Sequence, residues 1–251
     1  MPTNITKNKF ITNILSNDYD KVCKTISRCP SVVHECITDG RNPLHKAIYQ
    51  KNTDIVKLLL DSGADANKCE SKGMQTLFEF NNNIDVVFDG VTPLFAAISK
   101  GDLNYSIVQI LLEYGVNVNQ CDYHNTSPLY LAIKGRNTRI ANLLLEYGAD
   151  VNICNYTNTS PLQVAAMNGN SQIVKALLER GATTDITNAD AANADSANAD
   201  STNTSPLYLA AVRWANPLFI AKKKEYESII KMLLNSGADV NKCSICLDNL
   251  N

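Results

Sequence analysis

The sequence predicts an all-α fold, a solenoid of helix-turn-helix units from which hairpin loops project. Two observations lead to this prediction. A Pro-Leu pair recurs along the chain after Ser, Thr or Asn, and Pro128 and Pro161 lie 33 residues apart. Each of these segments closes on a glycine-containing corner, as at 148–152 and 181–185. A fixed period of this length indicates stacked copies of one supersecondary unit.

Each repeated segment carries the signals for two short helices. The proline suits a first helical position, because its missing N–H would have no intrahelical partner there. The preceding Ser, Thr or Asn can accept a hydrogen bond from the first turn. Apolar residues at helical spacing, such as Ile140, Leu143 and Leu144, predict the second helix. The glycine that follows, for example Gly148, favours a left-handed helix stop.

A hairpin turn is predicted before the Pro-Leu proline of each repeat. The residue three positions before it is always Gly or Asn, the two residue types that best tolerate positive φ. In chain order these residues are Gly40, Gly90, Asn125, Asn158 and Asn203. No single segment can bury its apolar face alone, so stability is expected to come from stacking on neighbouring copies.

These motifs resemble those of the ankyrin repeat family. The family's T-P-L-H position reads Asn42-Pro43-Leu44-His45 in the first copy, and the other copies begin at Thr92, Ser127, Ser160 and Ser205. The closing G-A-D-x-N position begins at Gly63, Gly115, Gly148, Gly181 and Gly237. The resemblance covers residues 40–243 apart from three insertions. It implies a platform for binding proteins without naming the partner, and it implies that His45 supports neighbouring turns through hydrogen bonds.

The pattern divides the chain into three parts. Residues 1–36 are predicted to form a degenerate N-terminal capping repeat, residues 37–243 the ankyrin repeats, and residues 244–251 a C-terminal tail. Wider spacings place insertions near 70–89, 187–201 and 213–225. For the first insertion, the alternative is a short helix through Met74, Leu77, Phe78 and Phe80. The second insertion, rich in Asn, Ala and Asp, predicts a flexible expanded loop.

Composition limits the class of protein. The chain has 251 residues, of which 45% are hydrophobic, and a formal net charge of −2. This balance gives no electrostatic footprint for nucleic acid, and no apolar run is long enough to span a membrane. The polar N-terminal stretch does not read as a secretory signal. We therefore expect a monomer inside the cell, in the cytoplasm. The Asn-, Ile- and Lys-rich composition suits an AT-rich genome, such as that of a giant virus or of certain protists. For a viral protein the compartment is the host cytoplasm.

The cysteines predict reduced thiols rather than disulfides. Four of them occupy one repeat position just after the closing corner, namely Cys69, Cys121, Cys154 and Cys243. Neighbouring copies should then lie about one repeat apart, too far for a direct bridge. Reduced structural thiols are typical of intracellular proteins.

The candidate partner-binding residues lie five positions before the repeat prolines. Three copies carry an aromatic residue there, namely Phe88, Tyr123 and Tyr156. The resemblance places this position near the hairpin tips, where exposed rings bury a large area on binding at low entropic cost. The alternative is that these rings pack on one another and on the next hairpin. Neighbours expected to complete the concave surface are His124, Tyr49, Lys100, Lys134 and Met167.

The third insertion offers a further candidate contact. Residues 213–225 contain the only tryptophan, Trp214, together with Phe219 and three consecutive lysines. One interpretation is a solvated loop between two helices. The other is a partner-contact loop in which Trp214 and Phe219 are anchors.

The tail suggests an alternative function. Cys243 and Cys246 resemble the first zinc ligands of a RING finger, but Cys243 also fits as the repeat cysteine, and the chain stops five residues after Cys246. No metal or other cofactor is otherwise expected, and no P-loop, nucleophile elbow or dinucleotide fingerprint indicates an enzyme. We predict a non-catalytic scaffold that binds an unknown protein partner through hairpin tips and the concave helix face. The alternative is the substrate-recognition portion of a ubiquitin-ligase-type ankyrin-RING protein with an incomplete RING.

Overall fold

The computed structural model describes residues 2–34, 42–70, 76–80, 83–88, 90–184, 205–216 and 222–240, with the backbone alone in 76–80 and 83–88. The chain forms two compact units, Met1–His124 and Asn125–Asn251. Helix pairs dominate both units, in agreement with the predicted all-α solenoid.

The first unit consists of three helix pairs and a β-hairpin. Its helices are α1 (Asn4–Leu15), α2 (Tyr19–Arg28), α3 (Pro43–Tyr49), α4 (Thr53–Asp61), α5 (Pro93–Ile98) and α6 (Tyr105–Glu113), with 3₁₀ turns at Pro30–His34 and Gly101–Asn104. The first helices contact one another in the order α1, α3, α5, and the second helices in the order α2, α4, α6. Each pair therefore stacks on the next in two layers. The N-terminal pair also buries Phe10 and Ile14, so it shares the apolar core of the stack.

The second unit repeats the same arrangement. Its helices are α7 (Pro128–Lys134), α8 (Thr138–Glu146), α9 (Pro161–Asn168), α10 (Ser171–Glu179), α11 (Pro206–Ala215) and α12 (Lys223–Asn235). Contacts run from α7 through α9 to α11 and from α8 through α10 to α12. In the predicted second helix, Ile140 and Leu144 are fully buried and Leu143 is 7% exposed.

The predicted helix caps and hairpin conformations are confirmed. The N-cap side chain accepts a hydrogen bond from the N–H three residues later at Asn42, Thr92, Ser127, Ser160 and Ser205. At α9 the cap is reciprocal, because the Ser160 N–H also donates to Gln163 Oε1 over 2.6 Å. The positions three before the proline have positive φ in the three described hairpins, with 74° at Gly90, 55° at Asn125 and 56° at Asn158.

The first insertion contains a β-hairpin. Strands β1 (Thr76–Phe80) and β2 (Asn83–Phe88) pair antiparallel, with Thr76 opposite Phe88 and Phe78 opposite Val86. The alternative of a short helix here is therefore wrong. Both strands are rich in aromatic and β-branched residues, which favour extended backbone.

The third insertion lengthens two helices, which include residues 213–215 and 223–225 of the predicted loop, while residues 217–221 lie outside the described residues. Helix α11 continues to Ala215 and has 10 residues, against 7 in α7. Helix α12 begins at Lys223 and has 13 residues, against 9 in α8. The predicted loop boundaries were wrong because Lys and Glu at 222–225 are good helix formers and extend α12 toward the N-terminus. The second insertion and the tail lie outside the described residues.

The extended start of α12 is anchored on the end of α9. The Tyr226 hydroxyl donates to the Met167 carbonyl over 3.1 Å, and Lys222 Nζ donates to the Asn168 carbonyl over 3.2 Å. The Tyr226 side chain is 1% exposed. Its ring lies over Gly169, whose φ of 68° closes α9 with a left-handed residue. A β-carbon at Gly169 would come within 2.8 Å of Tyr226 Cζ, so the contact requires glycine.

This contact predicts a measurable difference between two glycines. Gly169→Ala combines positive-φ strain with overpacking against Tyr226 and is expected to cost about 2–4 kcal/mol of unfolding free energy. Gly148→Ala has similar φ but no atom within 4 Å of the new β-carbon, so it should cost about 1–2 kcal/mol. Urea unfolding followed by circular dichroism measures both. Equal losses would show that Tyr226 does not restrict this corner.

Candidate functional site

Tyr123 lies in the turn at the end of the first unit and is partly packed. Its side chain is 55% exposed. One face of the ring lies against the backbone of Gly90, since a β-carbon there would come within 2.7 Å of Tyr123 Cγ and Cδ2. One side of this ring is therefore packed, and the other side is exposed. The open side is exposed to solvent, and the packed side limits how the ring can move.

Tyr156 is more exposed, and the turn that carries it is extensively hydrogen-bonded. Its side chain is 72% exposed. The Asn155 carboxamide oxygen accepts from the Thr157 N–H over 3.1 Å and from the Thr159 N–H over 2.8 Å. The Asn155 amide donates to the Tyr130 hydroxyl over 3.1 Å. The turn therefore presents Tyr156 from a backbone that is fixed on both sides.

The structure gives less information on whether the other two predicted tip residues, His124 and Phe88, belong to a row of rings. His124 is exposed, and its N–H donates to Asp122 Oδ1 over 3.0 Å within the same turn. Phe88 ends β2 at the open end of the hairpin rather than at its turn, and its side chain lies outside the described residues. Tyr156 belongs to the second unit. The row formed by Phe88, Tyr123 and Tyr156 stays a prediction.

Trp214 lies in α11, where its ring contacts α12. Its indole N–H donates to Glu227 Oε1 over 3.2 Å, and Lys223 Nζ lies 5.0 Å from the ring centroid. The side chain is half-buried. A cation over an indole face is a favourable electrostatic contact. Trp214 therefore links the two long helices, and Phe219, the other proposed anchor, lies outside the described residues.

The expected neighbours on the first-helix face differ in their surroundings. The Tyr49 hydroxyl donates to Glu70 Oε1 over 3.1 Å, and Lys100 Nζ lies 5.7 Å from the Tyr49 ring centroid. Met167 is 37% exposed. Lys134 is half-buried, and this burial lowers the pKa of its ammonium group. Met167 and Lys134 occupy the same position of successive first helices, six residues after the proline.

Tyr130 supports the second-unit hairpin and was missed as a site residue by sequence reasoning. It occupies the position that His45 has in the first copy. The ring nitrogens of His45 lie 2.9 Å from Asn42 Oδ1 and from the Val91 carbonyl oxygen, which confirms the implied link between neighbouring turns. Tyr130 makes the equivalent link to Asn155. It is 5% exposed, and burial raises its pKa to about 12.

The described residues give no support for a metal centre. Within the ranges that the structure covers, no three His, Cys, Asp or Glu side chains gather as metal ligands. Cys243 and Cys246 lie outside these ranges. The described cysteines, Cys23, Cys29, Cys69, Cys121 and Cys154, form no disulfide. Among the described helices, none combines the length and apolar character required to cross a bilayer.

Comparison with known proteins connects this architecture to a family. A family model described as ankyrin repeats in three copies matches residues 69–155 and 152–244, and a single ankyrin repeat model matches residues 39–71. These matches cover most of the chain. Their boundaries include the β-hairpin insertion and the long helices α11 and α12.

Individual relatives match shorter stretches. Rabankyrin-5 of Mus musculus is 34% identical over 97 residues, which is 39% of this chain and 8% of that protein. Ankyrin repeat protein OPG189 of Variola virus is 30% identical over 118 residues, which is 38% of this chain and 21% of that protein. Further matches come from fowlpox virus and Acanthamoeba polyphaga mimivirus, in agreement with the expected resemblance to proteins of giant viruses. The chain thus spans less than a quarter of the length of these relatives.

The raised pKa of Tyr130 predicts a pH-dependent contribution to stability. The phenol ionises near pH 10 in the unfolded chain and near pH 12 in the folded one, so the folded state holds the proton more tightly. Stability contributed by this group is complete below pH 10 and falls as the pH rises toward 12, by roughly 2 kcal/mol.

Tyr130→Phe should remove this part of the pH dependence. It should also lower stability at neutral pH by about 1 kcal/mol, because Asn155 loses its hydrogen-bond acceptor. Urea unfolding of both proteins across the alkaline range separates the two effects. Curves that stay parallel up to pH 12 would contradict the assignment to Tyr130.

Proposed function

Because the chain belongs to the ankyrin repeat family, we propose that it is a non-catalytic scaffold that binds a partner protein through its hairpin tips and the adjoining face of its first helices. Ankyrin repeats typically mediate protein–protein interaction. The proposed contact residues are Tyr123 and Tyr156, together with Phe88 and His124.

The exposure of Tyr123 and Tyr156 on hydrogen-bonded turns carries this proposal. These side chains occupy the same repeat position and are 55% and 72% exposed. An exposed tyrosine on a fixed turn loses few rotamers when a partner covers it and buries a large area. Preorganisation of this kind increases affinity by lowering the cost of ordering the contact.

Trp214 has a weaker place in the proposed surface. Its indole N–H and one ring face are already used by Glu227 and Lys223. A partner at this point would compete with contacts that hold α11 and α12 together. We expect replacement of Trp214 to lower the stability of the second unit more than it weakens partner binding.

The remaining features of the proposal concern compartment and assembly. We infer that the protein acts as a monomer in the cytoplasm, without nucleic acid as its ligand. The unpaired, half-buried thiols Cys69, Cys121 and Cys154 suit a reducing compartment. Burial raises the pKa of each of these three thiols, which disfavours the reactive thiolate. Light scattering of the purified chain measures the oligomeric state.

A double variant tests the proposed tips. Tyr123→Ala/Tyr156→Ala is expected to weaken capture of the principal partner from lysate at least about tenfold, because each truncated hot-spot ring costs more than about 1 kcal/mol. Quantitative mass spectrometry of captured proteins provides the measurement. Circular dichroism confirms that the helices remain intact.

The matched control is Tyr147→Ala. This tyrosine is 43% exposed, but it caps the second helix α8 and does not belong to a hairpin. Its replacement should leave capture unchanged within about twofold. A partner retained equally by the wild type and the folded double variant would exclude the tips as the binding site.

A further inference from the structure

The second unit carries an excess of basic residues. Its described part contains 10 Lys and Arg against 6 Asp and Glu, whereas the described part of the first unit contains 10 against 11. The positive charge in the second unit is not spread evenly. Several cations lie where the first helices end and the second helices begin, and we give the name basic rim to four of them: Lys134, Arg136, Arg213 and Lys222.

A cleft of about 370 Å³ brings part of the basic rim together. Arg136 and Lys222 line the cleft, together with hydroxyl and amide groups from Thr138, Asn168, Asn170, Ser171 and Gln172. Glu225 is the one carboxylate among its lining residues. The Lys222 ammonium uses one of its three N–H donors on the Asn168 carbonyl. The cleft therefore presents more positive than negative charge beside neutral hydrogen-bonding groups.

Tyr226 connects this cleft with the end of α11. Burial raises the pKa of its phenol; the positive charges of Arg213 and Arg136 act against this effect, and the negative charge of Glu225 adds to it. Both guanidinium groups therefore lie close enough to Tyr226 to influence it. The Tyr226 hydroxyl itself donates to the Met167 carbonyl, which fixes the position of the ring on which both arginines act.

Lys134 extends the basic rim along the first-helix face. It ends α7, two residues before Arg136, and it is half-buried. Among the described residues, no carboxylate lies within ion-pair distance of either Lys134 or Arg136. Partly desolvating a cation without a counter-charge is unfavourable, and a carboxylate from outside the chain would offset that cost. Met167, which is 37% exposed, precedes Asn168, whose side-chain amide donates to the carbonyl of Ile133, the residue before Lys134.

We propose that the basic rim binds an acidic segment of a partner protein, with glutamate or aspartate side chains on Arg136 and Lys134 and one apolar side chain on Met167. This inference deepens the proposed function, because it assumes that the ligand is a protein and adds the chemistry of its binding segment. It concerns the turns between paired helices, which are distinct from the hairpin tips. Charge complementarity would accelerate encounter and select acidic partners over neutral ones.

The test uses the full chain and two labelled peptides. The first peptide carries glutamates on both sides of a single leucine, and the second has glutamine at every glutamate. Fluorescence anisotropy should show binding of the acidic peptide alone, and added salt should weaken it, because exposed charge pairs are screened. Lack of binding of the acidic peptide, or equal binding of both peptides, would overturn the proposal.

Matched variants locate the site. Lys134→Gln/Arg136→Gln should weaken the acidic peptide about five- to tenfold, since it removes two exposed or partly exposed ion pairs. Lys175→Gln/Arg180→Gln changes the net charge equally on α10, and it should change the affinity less than about twofold. Equal weakening of peptide binding by both variants would show that the effect depends on net charge alone, and it would contradict a defined site at the basic rim.

Two further measurements separate this inference from its alternatives. A single-stranded oligonucleotide of matched charge should bind more weakly than the peptide, and equal or tighter binding would indicate a polyanion site and contradict a protein ligand. The Tyr123→Ala/Tyr156→Ala variant should keep its affinity for the acidic peptide. If that variant loses partner capture but still binds the peptide, the result would support both binding sites. If it loses peptide binding as well, the result would contradict a basic rim that is separate from the hairpin tips.

Discussion

The left-handed residue that precedes each first helix is the constraint on which the described hairpins depend. Asn125 and Asn158 have φ near 55°, a conformation that costs most L-residues about 1–2 kcal/mol and that Asn and Gly tolerate best. The chain can then reverse direction and enter the helix at a capped Ser-Pro pair. Because the turn residue lies only two positions before the N-cap, the start of the helix and the position of the hairpin are fixed together.

This local geometry allows the repeats to stack closely. Ala97 in the first unit and Ala132 and Ala165 in the second unit are fully buried, and their small side chains leave room for neighbouring helices of the same unit to approach. His45 and Tyr130 then connect adjacent turns by side-chain hydrogen bonds from inside the stack. Apolar burial supplies most of the stability of such a stack, while these polar links determine where each hairpin lies relative to the helices below it.

Sequence patterns predicted most of this fold because the motif is local and repeated. The caps, the positive-φ residues and the buried helix faces all follow from residues within one period. The insertions were harder, since they interrupt the period. Residues 76–88 combine extended-backbone formers with apolar spacing that also allows a helix, and strand pairing decided between them. Likewise, the helical state of Trp214 depends on α12, whose Glu227 and Lys223 hold the ring.

The candidate site was predictable only in part. The repeat position of Tyr123 and Tyr156 is visible in the sequence, but the packing of one Tyr123 face on Gly90 is a contact between residues 33 positions apart. The basic rim is equally hidden, because it draws Arg136, Arg213 and Lys222 from separate segments. Nothing in their spacing along the chain indicates that Arg136 and Lys222 line one cleft, or that Arg136 and Arg213 both act on the buried Tyr226.

The two proposed surfaces of the second unit suit different parts of a binding reaction. The Tyr156 turn offers a rigid aromatic surface, which contributes to affinity mainly through dehydration and slow dissociation. The basic rim offers charges that are exposed or half-buried, and charge complementarity acts chiefly on the rate of encounter and on partner choice. Because Tyr226 and Lys222 anchor the rim to α9, and Asn155 anchors the turn through Tyr130, both surfaces rest on contacts with the same stack of first helices. A partner that engages both would gain specificity from the charges and residence time from the ring, without any conformational change in the repeats.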